Sequence, residues 1–220
     1  MPEANKMTTP LSHEISSRRL GIAAVGVILL WAGYTILQTM AVVGRISEEL
    51  SAALGFLPGV LGVTMLLFVG VKRKDCFLVF HPISRKGFAV LAVIFVFALT
   101  AMLPVMVWKG WSWIAALILA PAGGIAQELF FRSTLLPTLR SVFRRRSILA
   151  LILRSVLFGF WHIGPLFVGA PAWAVIAVMA VPFLSGIGWG WQVAHDRTVI
   201  WAMIQHSLIW VIGLQFVVAG

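Results

Sequence analysis

Residues 20–44 read LGIAAVGVILLWAGYTILQTMAVVG, 25 positions without one Asp, Glu, Lys or Arg. At a helical rise of about 1.5 Å per residue, the run is long enough to cross a hydrocarbon core about 30 Å thick. It follows a polar stretch that holds Lys6, Arg18 and Arg19. A cleavable leader has an apolar core of only about 7–15 residues, so this run is expected to stay as an anchor. Working outward, six more runs meet the same test: 51–71, 88–108, 111–139, 147–166, 172–194 and 198–218. The 111–139 run exceeds one crossing, and Pro121 with Gly123–Gly124 is expected to interrupt it, part of it tilting or extending into the cytoplasm. The short segment 76–83 (CFLVFHPI) is expected at the interface.

Composition agrees with that reading. Hydrophobic residues make up 60% of the chain and charged ones 11%, against usual values of about 45–50% and 25%. A soluble enzyme, a disordered tail and a secreted disulfide scaffold are excluded, and the single Cys76 permits no internal disulfide. The expected fold is all-α: a polytopic membrane helix bundle of about seven transmembrane helices. It divides into a cytoplasmic tail (1–19), N-terminal helices (20–110) and a core (111–220).

The net charge of +10 would suggest nucleic acid on a soluble chain, but here it sorts by loop. Lys6, Arg18 and Arg19 lie in the tail, and Lys72, Arg73, Lys74, Arg85 and Lys86 lie in the second loop. Arg140, Arg144, Arg145 and Arg146 lie in the fourth loop, and Arg197 in the sixth. Only Arg45 and Lys109 fall on the other side. Thirteen against two, in alternation, predicts a cytoplasmic N-terminus and an outer C-terminus. Trp108, Trp111, Trp113 and Trp173 then cluster at the outer headgroup layer. The expected location is the cell membrane, with no nucleic-acid partner.

Ionisable groups inside spans are costly and mark functional sites by default. Of seven acids, only Glu128 lies deep in a run. With it stand Gln127, Arg132, Arg154, His162 and His206. From the cytoplasmic ends, Glu128 comes out about 16 Å deep, His206 about 12 Å and His162 about 22 Å, so His162 converges only if its helix starts further out or tilts. Arg132 stands one turn from Glu128, the spacing of an intrahelical ion pair. Arg154 lies about 10 Å from its end and could snorkel to the headgroups. Gly186 and Gly190 form a GxxxG pair suited to close helix packing.

Three short motifs carry a resemblance. Gln127-Glu128-Leu129-Phe130-Phe131-Arg132 stands for Glu-Glu-x-x-x-Arg, Phe158-Gly159-Phe160-Trp161-His162 for Phe-x-x-x-His, and His206 with Trp210 for His-x-x-x-Asn. In this order the chain resembles the CPBP (Abi, or type II CAAX prenyl protease-like) family of intramembrane endopeptidases, over about 111–210. The resemblance implies peptide-bond hydrolysis within the bilayer. Glu128 and His162 would activate water and His206 would stabilise the oxyanion, with Gln127, Arg132, Phe158 and Trp210 as supporting or substrate-binding residues. The implied partner is a membrane-embedded or lipidated peptide or protein.

Two departures touch that chemistry. Gln127 replaces the first Glu, and an amide cannot take a proton from water. Glu128 points about 100° away from it on a regular helix. Trp210 replaces the oxyanion Asn with one donor on a larger ring. A pseudoprotease that binds without cutting is therefore the alternative, and a proton-coupled transporter a third reading. No tightly bound cofactor is expected. Glu128, His162 and His206 form the one set that could hold a divalent metal such as zinc, although their spacing matches no His-Glu-x-x-His helix.

Overall fold

The first apolar run forms α1 (Ser17–Val42), followed by α2 (Glu48–Phe68), α3 (Arg85–Met102), α4 (Ala120–Phe130), α5 (Leu136–Phe143), α6 (Ser147–Trp161), α7 (Ala172–Asp196) and α8 (Ile200–Val217). A π-helical turn, Phe131–Leu135, joins α4 to α5 as one widened helix, and a 3-10 turn, Gly164–Val168, follows α6. The computed structural model describes residues 17–102, 118–143 and 146–217, and among these every regular element is helical. Lys6, Trp108, Lys109, Trp111, Trp113, Arg144 and Arg145 lie outside the described residues.

Among the described residues, four helices are long and apolar enough to cross a membrane: Ser17–Val42, Glu49–Phe68, Ser147–Val168 and Ala172–Asp196. Packing is inverted relative to a soluble domain. Ile22, Val25, Leu29 and Ile36 of α1 face outward, whereas Gln127, Glu128, Arg132, Thr134, Arg154 and Ser155 are buried. In lipid this is the stable arrangement, because polar groups have no water partner on the outside.

Local chemistry sets the helix ends and crossings. Ser47 caps α2, its Oγ accepting from the Leu50 amide at 3.2 Å. Gly62 of α2 faces Thr134 of the π turn so closely that a Cβ there would overlap the threonine. The Thr134 hydroxyl lies 3.1 Å from the Leu129 carbonyl, within its own helix, and 3.3 Å from the Gly59 carbonyl across the crossing. Pro121 sits in the first turn of α4, where its missing amide costs nothing, and Gly123–Gly124 continue the helix. The glycine pair thus does not break α4, but the backbone has π geometry at 118–119, just before Pro121, and again in the turn Phe131–Leu135; residues 111–117 lie outside the described residues.

An aromatic cluster fixes α1 against the core. Tyr34 packs on Phe130, Phe131 and Trp161 at centroid distances of 5.6, 6.2 and 4.9 Å. Trp161 Nε1 donates to the Tyr34 carbonyl (3.2 Å) and Trp31 Nε1 to the Leu157 carbonyl (3.1 Å). These bonds satisfy indole donors that lipid could not.

Candidate active site

Gly124 decides how closely α8 approaches α4. A Cβ there would lie 2.5 Å from Ser207 Oγ and 2.7 Å from the Ser207 amide nitrogen. With that approach, Glu128 one turn along α4 meets His206, the neighbour of Ser207. Glu128 Oε1 lies 2.7 Å from His206 Nδ1. Its Oε2 lies 3.0 Å from Arg132 Nε, an ion pair in distance but without an aligned hydrogen bond. Oε2 therefore keeps a free acceptor lone pair. Glu128 and Arg132 are fully buried.

His206 uses both ring nitrogens. Trp210 Nε1 donates to His206 Nε2 at 3.1 Å. An indole N–H can only donate, so Nε2 accepts and Nδ1 carries the proton given toward Glu128. The ring also stacks on Trp189, centroids 4.5 Å apart. Trp210 in turn rests 3.4 Å from the Cβ position of Gly123, so the glycine pair makes room for both partners from α8.

Phe158 stands between the histidines. Its ring lies 5.1 Å from that of His162 and 6.0 Å from that of His206, and the Arg132 guanidinium covers it at 4.4 Å. Trp189 contacts the same guanidinium at 5.1 Å. These are cation–π contacts between buried groups. His162 caps the C-terminal end of α6, which stops at Trp161 rather than running to 166. Its Nδ1 lies 2.9 Å from the Phe158 carbonyl, which orients Nδ1–H as donor and leaves Nε2 as a free acceptor. Half-buried, it is more open than Glu128 or His206.

The motif positions are thus gathered by α4, the π turn, α6 and α8. Gln127 is buried beside them, its Oε1 without a partner. One expectation needs correction. Arg154 does not snorkel: it is fully buried, and Nη2 donates to the Gly186 carbonyl and to Ser155 Oγ. A Cβ on Gly190 would overlap that Nη2, so the GxxxG pair forms a slot for the guanidinium as well as a packing face. The residues Glu128, His162 and His206 do not fit a metal ion as they stand. Among the described residues no three His, Cys, Asp or Glu side chains converge on one point. Of that set, His206 has both nitrogens engaged, so no step is derived through zinc.

A second His–carboxylate cluster escaped sequence reading. Asp196, at the end of α7, pairs with His195 Nδ1 at 2.9 Å and accepts from Gln192 Nε2 at 3.0 Å. Ser84 Oγ, which also accepts from the Gly87 amide, lies 3.3 Å from the same His195 nitrogen. No periodicity pairs residues 84 and 195, so no sequence signal could have found it.

Residues 108–212 match the family described as Type II CAAX prenyl endopeptidase Rce1-like. That segment of the chain is similar to this family. The Rce1-like segment carries every motif residue named above, from Gln127 to Trp210. Comparisons with curated proteins and with solved structures give no match.

Proposed function

We propose that the chain is an intramembrane endopeptidase of the CAAX type, hydrolysing peptide bonds in membrane-embedded or lipidated substrates. The observation that carries this reading is the free lone pair on Glu128 Oε2, in a carboxylate oriented by His206 and Arg132. An oriented carboxylate with one open acceptor is what a general base for water requires. His162 offers a second open acceptor at Nε2. Donation of a proton from water to Glu128 would generate the nucleophile, and the leaving amine would take that proton back. The oxyanion would need a donor from His206 or Trp210.

The specific observation that favours the pseudoprotease reading is the Trp210 indole on His206 Nε2. In that arrangement His206 has no free N–H, and Trp210 must turn away before either can serve an oxyanion. The topology we adopt has seven crossings, α4 and α5 counting as one, a cytoplasmic N-terminus and a cell-membrane location, supported by the cation distribution. The division into a tail, N-terminal helices and a core from residue 111 belongs to the same proposal.

The test is cleavage of a quenched membrane-peptide substrate by the full chain in nanodiscs. Wild type should cut, and Glu128→Ala or His162→Ala should lower the rate by about 100–10,000-fold. A silent wild type that becomes active as Gln127→Glu or Trp210→Asn establishes the pseudoprotease reading. Cleavage that survives loss of both His162 and His206 removes the site assignment.

A further inference from the structure

The interior around Glu128 holds more positive charge than negative. Arg132 and Arg154 are both fully buried, and Glu128 is the one carboxylate near them. His206 is neutral by its hydrogen bonds, since Nε2 accepts from Trp210. Arg132 lies on the ring of Phe158, and Arg154 precedes that residue by one turn on α6. Arg154 donates to the Gly186 carbonyl, and the Cβ position of Gly186 lies 3.2 Å from the Phe158 ring that Arg132 covers, so both guanidiniums flank that ring.

Their donors are also largely unused. Arg132 Nη1 and Nη2, and Arg154 Nε and Nη1, have no hydrogen-bond partner. Arg154 Nη2 alone is occupied, by Gly186 and Ser155. Besides Glu128 Oε2, the unpartnered side-chain oxygens among the buried groups, Gln127 Oε1, Ser133 Oγ, Ser185 Oγ and Gln192 Oε1, are neutral and cannot balance a charge. An uncompensated buried guanidinium is among the costliest features a membrane interior can hold, and planar N–H forks match carboxylate oxygens.

We infer that this interior binds one carboxylate-type anion, held by the free N–H groups of Arg132 and Arg154. The anion supplies the negative charge that the chain's own side chains lack. Its source is either a small free carboxylate or the C-terminal carboxylate of a bound peptide. The inference does not depend on peptide hydrolysis, because binding neutralises the guanidiniums whether or not a bond is cut.

The experiment follows thermal unfolding of the full chain in detergent as sodium acetate replaces sodium isethionate at fixed ionic strength. Acetate should raise the unfolding temperature saturably. Arg154→Met should weaken the apparent affinity at least tenfold, since it removes the excess charge. Glu128→Gln should be rescued by acetate and bind it at least tenfold more tightly. Competition by an apolar hexapeptide acid, but not its amide, identifies a peptide terminus; competition by neither identifies a free carboxylate. The inference is overturned if acetate has no saturable effect on wild type, or acts equally on Arg154→Met. Should Arg154→Met fail to fold, unchanged acetate affinity in Glu128→Gln overturns it.

Discussion

Among the described residues stand two His–carboxylate pairs, and their differences explain what each can do. Glu128 and His206 come from α4 and α8, are buried, and share no nitrogen with another acceptor: Nδ1 faces the carboxylate and Nε2 faces Trp210. His195 and Asp196 are sequence neighbours at the end of α7, and the His195 side chain is 29% exposed. Ser84 and Asp196 both meet His195 Nδ1, at 3.3 and 2.9 Å. A relay between hydroxyl and carboxylate needs the two opposite nitrogens of the ring. The Ser84–His195–Asp196 group is therefore a tie between the start of α3 and the end of α7, with no nucleophile geometry. Burial and bond direction, rather than residue type, separate the two pairs.

Removing one partner from each pair should widen that contrast. Glu128→Ala leaves Arg132 buried and unpaired, which costs about 3–5 kcal/mol. Thermal unfolding and folded yield in detergent should both fall sharply, and an unchanged unfolding temperature would show that Arg132 is already solvated. Next in size is Gly190→Ala. Its Cβ would overlap Arg154 Nη2, and the forced shift should cost about 1–3 kcal/mol in the same measurement. Asp196→Ala should cost less than Glu128→Ala, about 1–3 kcal/mol, because it leaves the buried Gln192 amide without its acceptor while no full charge is stranded in the interior. A loss equal to that of Glu128→Ala would erase the distinction between the pairs.

The smallest effect concerns Cys76, in the loop between α2 and α3. Burial, with Asp75 adding to it, pushes its thiol from an ordinary value near 9 up to about 12. Iodoacetamide should therefore react slowly with the folded chain at pH 9 and readily once it unfolds. The unfolded thiol loses its proton first, so this contribution is intact below about pH 9. It declines as the pH rises toward 12. Rapid alkylation of the folded chain at pH 9 would place Cys76 at the surface.

Much of the helix framework was legible in one dimension. The runs at 20–44, 51–71 and 172–194 reappear as α1, α2 and α7 with ends shifted by a few residues, because apolar length is a local property. Glu128, His162 and His206 stood out because charge and imidazole are rare inside such runs. What lay beyond local reading was direction. A regular helix alone could not say whether Glu128 faces the other motifs, and the close approach at Gly124 answers it. Depth misled for Arg154, since a long side chain can reach headgroups or a slot one helix away, and Gly186 and Gly190 supply the slot.

The sequence by itself determined a chain of apolar helices with a segment similar to the Rce1-like family, carrying a Gln and a Trp where the motifs have a Glu and an Asn. Apolar length and the cost of intramembrane charge are enough for that. Only the tertiary structure decided that Trp210 closes His206 Nε2, that Glu128 pairs with Arg132 yet keeps one open oxygen, and that Arg154 is buried against Gly186 and Ser155. Hydrogen-bond direction and charge balance belong to groups brought together from distant helices, and no single helix contains them.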